Sequence, residues 1–215
     1  LVSHVIPGNE PALDFPCLFL TYFANAYFGI AQCCQIDALR GVIEQVMDEH
    51  TKNVLLTVLM SVMSATASTT THFAQFLKEY RKSGLCSQKE CKTFDCYNLD
   101  FSECLDSIVL NKSTLVYADP PYFKEHYSRY YHVLNTLCLY DYPAMAINPQ
   151  THELSIGRYR EDRRVSDFGK KAKALGAFET LITKCATAGA WLMISYSDNS
   201  IVDITDLQTL AEKQY

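Results

Sequence analysis

The tetrapeptide Asp119-Pro120-Pro121-Tyr122 is the part of the sequence whose residue types best suit chemistry. Proline fixes its own φ angle and favours an extended conformation in the residue before it. The Asp119 carboxylate and the neighbouring carbonyls are therefore held in one orientation. Because neither proline has an N–H, this corner presents hydrogen-bond acceptors. Tyr122 adds a flat face on which a planar ring can stack, so the corner suits a ligand such as an amine on an aromatic ring.

The segments around this corner predict an α/β unit that would position it. Ser113–Ala118 is short, apolar and β-branched or aromatic, which predicts a buried strand that stops at Asp119. Phe168–Gly189 has helical spacing of apolar residues, and Ala190–Ser197 is a second buried-strand pattern. A strand, a helix and a parallel strand form an α/β crossover unit. In sheets built from such units, ligands bind beyond the carboxyl ends of the strands. Asp119 lies at one such end, and Ser195–Ser197 lies at the other.

The first half of the chain predicts helices. An amphipathic surface helix is predicted over Gln35–His50, a buried helix over Lys52–Ser68, and a third helix over Thr71–Gly84. We expect one domain over residues 1–215, with a mainly helical portion at 1–112 and an α/β portion at 113–215. The long polar connection at 141–167 is expected to be a mobile, functional loop.

Composition limits the function classes. The 215 residues are 48% hydrophobic and 20% charged, which is typical of a chain with one folded core and excludes a mainly disordered protein. The net charge of −5 excludes a global positive field, so nucleic-acid binding needs a local patch. A local positive patch is supplied by five basic residues in and just after the long connection: Arg158, Arg160, Arg163, Arg164 and Lys170.

The nine cysteines, with no signal peptide or membrane-spanning run, predict a reducing, intracellular compartment and no membrane association. Cys86, Cys91, Cys96 and Cys104 lack the tight C-x2-C spacing of zinc sites, so no metal is predicted. The chain begins at Leu1 and ends at Tyr215 without an evident cap, which predicts that it is part of a larger protein.

The tetrapeptide closely resembles the catalytic motif of amino-methyltransferases, and the form that begins with Asp is typical of N6-adenine DNA methyltransferases. The chain is similar to the Dam-like group of bacterial and phage adenine methylases from about Tyr22 to Asn199. The blocks that carry this resemblance, in chain order, are YFGIAQCCQIDALRGVIEQV, SATASTTTHFAQFLKEY, YADPPYFKEHYSRYYHVL, GRYREDRRVSDF and WLMISYSDN.

The resemblance implies a Rossmann-like, S-adenosylmethionine-dependent methyltransferase fold in the cytoplasm of a bacterium or in a phage. It implies double-stranded DNA as the substrate, with a cognate restriction endonuclease as a possible partner. The target adenine would flip out of the duplex and stack on Tyr122. Asp119 and the Pro120 carbonyl would accept hydrogen bonds from its amine and would also border the cofactor, and Pro121 would keep the corner rigid.

The residues after the corner are predicted to contact DNA. Tyr127, Tyr130, Tyr131 and His132 would wall the pocket or fill the gap left by the flipped base. Arg163 and Arg164 would clamp phosphates. For the tyrosines, ordinary helix packing is an equal alternative, and for His132 the alternative is a structural histidine. For the two arginines, the alternative is a solvated loop beside Glu161 and Asp162.

One family feature does not occur in the sequence. The family's cofactor-binding turn, Phe-x-Gly-x-Gly, has no match, since Phe23–Gly29 carries Asn25 where the first glycine belongs. We therefore expect an incomplete fold, and two alternatives stay open. One is a catalytically inactive methyltransferase-like module that binds DNA or a protein. The other keeps the chemistry but methylates a different amine, as related corners that begin with Asn or Ser do.

Overall fold

The computed structural model describes residues 16–69, 72–74, 76–77, 95–123, 126–197 and 199–215. The chain divides into two compact units. The first is formed within Leu1–Lys89 and Ser128–Arg164, and the second within Glu90–Tyr127 and Val165–Tyr215. The predicted single domain, with a helical portion that ends at residue 112, stays a prediction.

The first unit is built from helices around an aromatic core. Its helices are α1 (Leu18–Tyr22), α2 (Ile30–Glu44), α3 (Glu49–Thr66) and α5 (Tyr127–Leu139), whose first residue belongs to the second unit. The largest fully buried side chains include Phe19, Phe23, Tyr27 and Phe28. Asp37 on α2 is also buried, and its carboxylate accepts hydrogen bonds from the Phe19 and Leu20 amides at the start of α1. These bonds satisfy amides that a short helix leaves without partners.

The predicted helix over Gln35–His50 is wrong at its end, because α2 stops at Glu44 and α3 begins at Glu49. Asp48 starts the new helix, since its side chain accepts a hydrogen bond from the Thr51 amide at 2.8 Å. The predicted buried character of the next helix is also wrong, because only one face of α3 is covered among the residues that the structure describes. Three valines stay exposed on α3: Val54, Val58 and Val62.

The predicted helix over Thr71–Gly84 lies mostly outside the described residues. Where it is described, residues 72–74 form a bend and a turn rather than a helix. Cys86 and Cys91 also lie outside the described residues, so the expected absence of zinc stays a prediction. Within the described part of the chain, no helix has both the length and the apolar character needed to cross a bilayer.

The long connection contains an irregular antiparallel hairpin. Isolated bridges join Met145 to Arg160 and Ile147 to Leu154. Between them, the Ala146 amide donates to the Tyr159 carbonyl at 2.7 Å, and the Ser155 amide donates to the Ala146 carbonyl at 2.8 Å. The polar composition predicted a loop, but backbone pairing gives residues 144–161 a defined path. The expected mobility of 141–167 stays a prediction.

The second unit carries the small parallel sheet. Its elements are α4 (Phe101–Ser107), β1 (Leu115–Ala118), α6 (Ala174–Thr187), β2 (Trp191–Ile194) and α7 (Ile204–Glu212). The two strands pair in parallel, from Leu115 with Trp191 to Ala118 with Ile194, as the sequence predicted. A short 3-10 turn at Asp167–Gly169 precedes α6. Gly189 follows α6 at φ +69°, a conformation that glycine adopts without strain.

The strands are not buried on both faces, so that prediction is wrong. Val116, Ala118, Leu192 and Ile194 pack against the apolar core of α6 and α7. On the other face, the exposed fractions are 59% for Leu115, 61% for Tyr117, 70% for Trp191 and 53% for Met193. Parallel strands with apolar residues on both faces predict two covered faces, but the described residues cover only one.

Candidate active site

Asp119 lies immediately after β1, at the carboxyl end of the parallel sheet, and is exposed. Pro120 and Pro121 are buried. The Ala118 carbonyl accepts a hydrogen bond from the Ser195 amide at 2.8 Å, which holds the ends of the two strands together. The corner is therefore anchored on both strands, with two buried prolines behind an accessible carboxylate.

Tyr122 is held between the corner and the end of β2. Its side chain is 36% exposed, so part of the ring faces solvent. The ring meets Tyr196 nearly edge-on, with centroids 6.3 Å apart and planes at 86°, and meets Phe123 at 5.3 Å. The Tyr122 carbonyl accepts a hydrogen bond from the Ile201 amide at 3.1 Å. These contacts fix both the backbone and the ring of Tyr122.

Tyr196 is a supporting residue that the sequence did not single out. It contacts Phe178 of α6, with ring centroids 5.0 Å apart, and its hydroxyl accepts a hydrogen bond from the Val202 amide at 3.1 Å. Tyr196 therefore connects Tyr122 to the core of the second unit. The available signal was its place in Ser195–Ser197, the segment expected at the second strand end.

The Tyr127 side chain contacts the backbone of the acidic corner. The Tyr127 hydroxyl donates to the Asp119 carbonyl at 3.0 Å, and the side chain is 40% exposed. This bond closes the loop that leaves the corner and enters α5. Tyr127 thus holds the residue that carries the carboxylate, in addition to any contact with DNA.

Gly169 allows the 3-10 turn to approach the same loop closely. A Cβ atom at residue 169 would lie 2.5 Å from His126 Cε1 and 3.2 Å from the Phe123 carbonyl oxygen. The first distance is too short for a side chain and the second is tight, so a larger residue at 169 would have to move the His126 ring and would crowd the Phe123 carbonyl. Glycine at this position therefore permits the close approach of the turn to Phe123 and His126.

The remaining predicted aromatic residues belong to the first unit. The Tyr130 ring packs on His72, with centroids 4.5 Å apart, and its carbonyl accepts a hydrogen bond from the Phe73 amide at 2.9 Å. Tyr131 is 55% exposed. Of this pair, Tyr131 is therefore the one whose side chain is mainly open to solvent.

His132 lies in the core of the first unit and is 1% exposed. Its Nε2–H donates to the Phe73 carbonyl at 2.9 Å, and its ring contacts Tyr27 and Tyr159. Burial lowers the pKa of His132 to about 4, so the imidazole is neutral near pH 7. This environment supports the structural alternative for His132 rather than a place in a DNA-facing wall.

The two predicted phosphate-binding arginines differ in their surroundings. The Arg163 guanidinium lies 4.8 Å from the centroid of the Tyr159 ring, and its Nε donates to the Arg160 carbonyl at 3.2 Å. Arg164 is exposed. Arg163 is therefore pre-positioned by a cation–π contact, whereas Arg164 extends into solvent.

Other members of the predicted basic patch are neutralised within the protein. Arg160 is buried and forms ion pairs with Asp141 at 2.7 Å and Asp162 at 2.9 Å. The hydrogen bonds that Arg160 donates to these carboxylates raise the pKa of Arg160, and the bond to Asp162 lowers the pKa of that carboxyl. Lys170 pairs with Asp167 at 2.7 Å. Arg160 therefore has a structural role, which residue type alone did not reveal, whereas Lys170 forms a half-exposed ion pair at the surface.

Comparison with known proteins gives consistent matches. The family model for D12 class N6 adenine-specific DNA methyltransferases matches residues 21–173. Modification methylase LlaI of Lactococcus lactis subsp. lactis is 28% identical over 198 residues, covering 83% of this chain and 29% of that protein. Type II methyltransferase M.NlaIII of Neisseria lactamica is 26% identical over 200 residues, covering 87% of this chain and 56% of that protein.

A third relative, modification methylase StsI of Streptococcus sanguinis, is 25% identical over 199 residues, covering 87% of this chain and 29% of that protein. The chain thus spans between 29% and 56% of the length of these relatives. No solved structure matches the chain significantly.

Proposed function

We propose that this chain, which belongs to the D12 class of N6 adenine-specific DNA methyltransferases, acts as a site-specific DNA adenine-N6 methyltransferase and holds the target adenine. The observation that carries this proposal is the exposed Asp119 carboxylate at the end of β1, beside the partly exposed ring of Tyr122. A carboxylate and an aromatic face at a strand end suit an amine on a planar ring.

The amine chemistry follows from these two side chains and one carbonyl. The N–H groups of the adenine amine donate to the Asp119 carboxylate and the Pro120 carbonyl. These bonds draw the nitrogen lone pair out of conjugation with the ring and direct it towards the methyl donor. Stacking on Tyr122 contributes about 1–3 kcal/mol, against a cost of a few kcal/mol to unstack and unpair the base. Asp119, Pro120, Pro121 and Tyr122 are therefore proposed as the catalytic corner.

We also infer a Rossmann-like arrangement for the sheet. Parallel pairing of β1 and β2, with α6 packed on one face, supports this inference. In such sheets the ligand lies beyond the carboxyl ends of the strands, which is where Asp119 and Ser195 lie.

S-adenosylmethionine is proposed as the methyl donor because the family transfers methyl groups. The residues present do not form a complete site for it, since the chain contains no Phe-x-Gly-x-Gly turn. Asp119 and Pro120 offer acceptor oxygens that could border the donor, but they lack the backbone amides that a glycine turn provides.

Double-stranded DNA is proposed as the substrate. A cognate restriction endonuclease is proposed as a functional partner, because two of the similar proteins are named modification methylases. The exposed Tyr131 and Arg164, together with the pre-positioned Arg163, are proposed to contact the duplex.

The test is transfer of a labelled methyl group from S-adenosylmethionine to adenine-containing duplex DNA. The assay uses this chain and the complete product of its gene, each with and without the Asp119→Ala substitution. We expect Asp119→Ala to abolish transfer, because it removes the acceptor that orients the amine. Thermal unfolding should be nearly unchanged, because the side chain is exposed.

Three outcomes would contradict the proposal. Transfer that survives Asp119→Ala would show that the amine is held elsewhere. DNA binding without any transfer by the complete gene product would favour the inactive module. Transfer to cytosine or to a protein amide, with none to adenine, would instead favour the alternative amine.

A further inference from the structure

Residues 156–158 form a bulge in the hairpin of the first unit. The residues on either side of the bulge bond the same residue of the opposite strand: the Ser155 amide donates to the Ala146 carbonyl at 2.8 Å, and the Ala146 amide donates to the Tyr159 carbonyl at 2.7 Å. Residues 156–158 are therefore additional to the paired strand and project from it. Bulges of this kind direct side chains away from the regular face of a strand, and they are frequent next to functional sites.

The backbone of the bulge is held from both sides. The Arg158 amide donates to the Ser155 carbonyl at 2.8 Å, and the Gly157 carbonyl accepts a hydrogen bond from the buried Tyr27 hydroxyl at 3.0 Å. A Cβ atom at residue 157 would clash with the Tyr159 ring, so glycine permits this close packing. Arg158 has φ +51°, a left-handed conformation that non-glycine residues rarely adopt. The fold therefore fixes the direction in which the Arg158 side chain leaves the hairpin.

Arg158 carries a charge that the described residues leave unpaired. Its Nε is buried and has no hydrogen-bond partner among the described residues, and Arg158 forms no ion pair with any of them. Burial lowers the pKa of Arg158, since it disfavours the charged form, and the acid whose charge acts on it is Glu153, which is exposed. Arg160, by contrast, is bound to Asp141 and Asp162. A half-buried cation without an acceptor weakens the fold, so its presence points to a ligand that supplies the acceptor.

The other end of the bulge is apolar and exposed. Ile156 is 77% exposed, although it is a large hydrophobic residue. The major groove of DNA offers partners for both side chains, since guanine presents the acceptors O6 and N7 there and thymine presents a methyl group. The groove also admits a two-stranded β-ribbon, and isolated bridges give this hairpin two paired strands. A phosphate would satisfy Arg158 but not Ile156, so the pair of side chains favours base edges.

The enclosed Nε leaves the two terminal nitrogens of Arg158 to meet a ligand. Two parallel N–H donors on a planar guanidinium match the O6 and N7 acceptors of guanine, which is the commonest specific contact of arginine with DNA. Base recognition needs a donor at a fixed place, and the hydrogen bonds of Ser155 and Gly157 provide that place. Arg158 thus meets the requirements for reading a base rather than for attracting the duplex as a whole.

We propose that Arg158 reads a guanine of the recognition sequence from the major groove by donating from its two terminal nitrogens to O6 and N7. Ile156 contacts the apolar edge of a neighbouring base. The inference rests on the proposed function, because it takes the DNA substrate as the ligand, and it assigns the selection of one base to this residue. Arg163 and Arg164 position the duplex through its phosphates, whereas Arg158 distinguishes one sequence from another.

The experiment measures which sequences the complete gene product methylates. A pool of duplexes with randomised positions around a fixed adenine is incubated with S-adenosylmethionine, and the methylated duplexes are sequenced. The same pool is also selected by binding alone, and the salt dependence of binding is measured by fluorescence anisotropy. The variants are Arg158→Gln and Arg158→Lys, with Arg164→Gln as a phosphate-contact comparison. Lys213→Gln, at an exposed position after α7, is the control for an equal loss of charge.

For Arg158→Gln, we expect the preference for guanine at one position to fall about tenfold, because one bidentate contact to a base is lost. The slope of log affinity against log salt should stay unchanged. Arg158→Lys should lose much of the preference too, because an ammonium group lacks the planar pair of donors. Arg164→Gln should reduce the magnitude of the slope by about 0.9 and keep the preference. Lys213→Gln should change neither.

Thermal unfolding separates this role from a structural one. Arg158→Gln should unfold at the same temperature or a higher one, because it removes a cation that the described residues leave unpaired. A lower unfolding temperature with equal losses on every sequence would show a structural role and overturn the inference. A guanine preference that persists in Arg158→Gln would also overturn it. A reduced salt slope with an unchanged preference would identify Arg158 as a phosphate contact, which contradicts base recognition.

The two readouts separate this inference from the proposed function. If methyl transfer depends on Asp119 but Arg158→Gln keeps the sequence preference, the proposed function stands and this inference fails. If the guanine preference in binding depends on Arg158 but no transfer occurs, this inference stands and the catalytic proposal fails. If the complete gene product shows neither sequence-selective binding nor transfer, both fail.

Discussion

Replacement of Tyr127 by phenylalanine tests how the acidic corner is held. The substitution removes the hydrogen bond from the Tyr127 hydroxyl to the Asp119 carbonyl at 3.0 Å and leaves the aromatic ring in place. Because the side chain is 40% exposed, water can partly replace the lost donor. The loss should therefore lie in the lower part of the usual range, at about 0.5–1 kcal/mol.

If this loss appears in the transition state, the rate should decrease about two- to fivefold, since about 1.4 kcal/mol corresponds to a factor of ten. The assay is methyl transfer by the complete gene product, with kcat and the KM for duplex DNA measured separately. We expect kcat to decrease and KM to stay constant, because the bond positions Asp119 and does not touch DNA. Tyr97→Phe, an exposed tyrosine away from the corner in sequence, should change neither value.

Two results would refute this reasoning. An unchanged kcat would mean that the Asp119 carbonyl needs no support from Tyr127. An increased KM with an unchanged kcat would mean that Tyr127 acts as a DNA contact, as the sequence alone suggested, and not as a positioning residue.

Two further predictions concern the two units. His132 has a folded pKa of about 4 against an ordinary value of 6.5, so the unfolded chain binds the extra proton between these values. Stability should therefore decrease as pH falls from about 6.5 to about 4, by about 2 kcal/mol between pH 7 and pH 5. Urea unfolding at both pH values measures this, and a difference that persists in His132→Gln would contradict the assignment. Trp191 is the only tryptophan and is 70% exposed, so its fluorescence should be strongly quenched by iodide. A shielded Trp191 in the complete gene product would mean that other residues cover this face of the sheet, whereas shielding in the isolated chain would contradict the structure.

The sequence by itself determined the local features of the second unit. Two prolines after an acid end a strand for steric reasons that depend on neighbouring residues alone, so Asp119 could be placed at the end of β1. Parallel pairing also followed, because a helix between two short strands favours a crossover. Apolar periodicity located α6, and glycine after its last turn located its end.

Tertiary structure alone decided which polar and aromatic residues are accessible. Arg160 and His132 have residue types that suggested DNA contacts or a basic patch, but partners distant in the chain bury them: Asp141 for Arg160, and Phe73 for His132. The bond from Tyr127 to Asp119 and the support of Tyr122 by Tyr196 likewise join segments that no local pattern relates. Burial and hydrogen-bond partners depend on contacts between remote segments, so residue spacing can suggest a functional side chain but cannot establish whether a ligand can reach it.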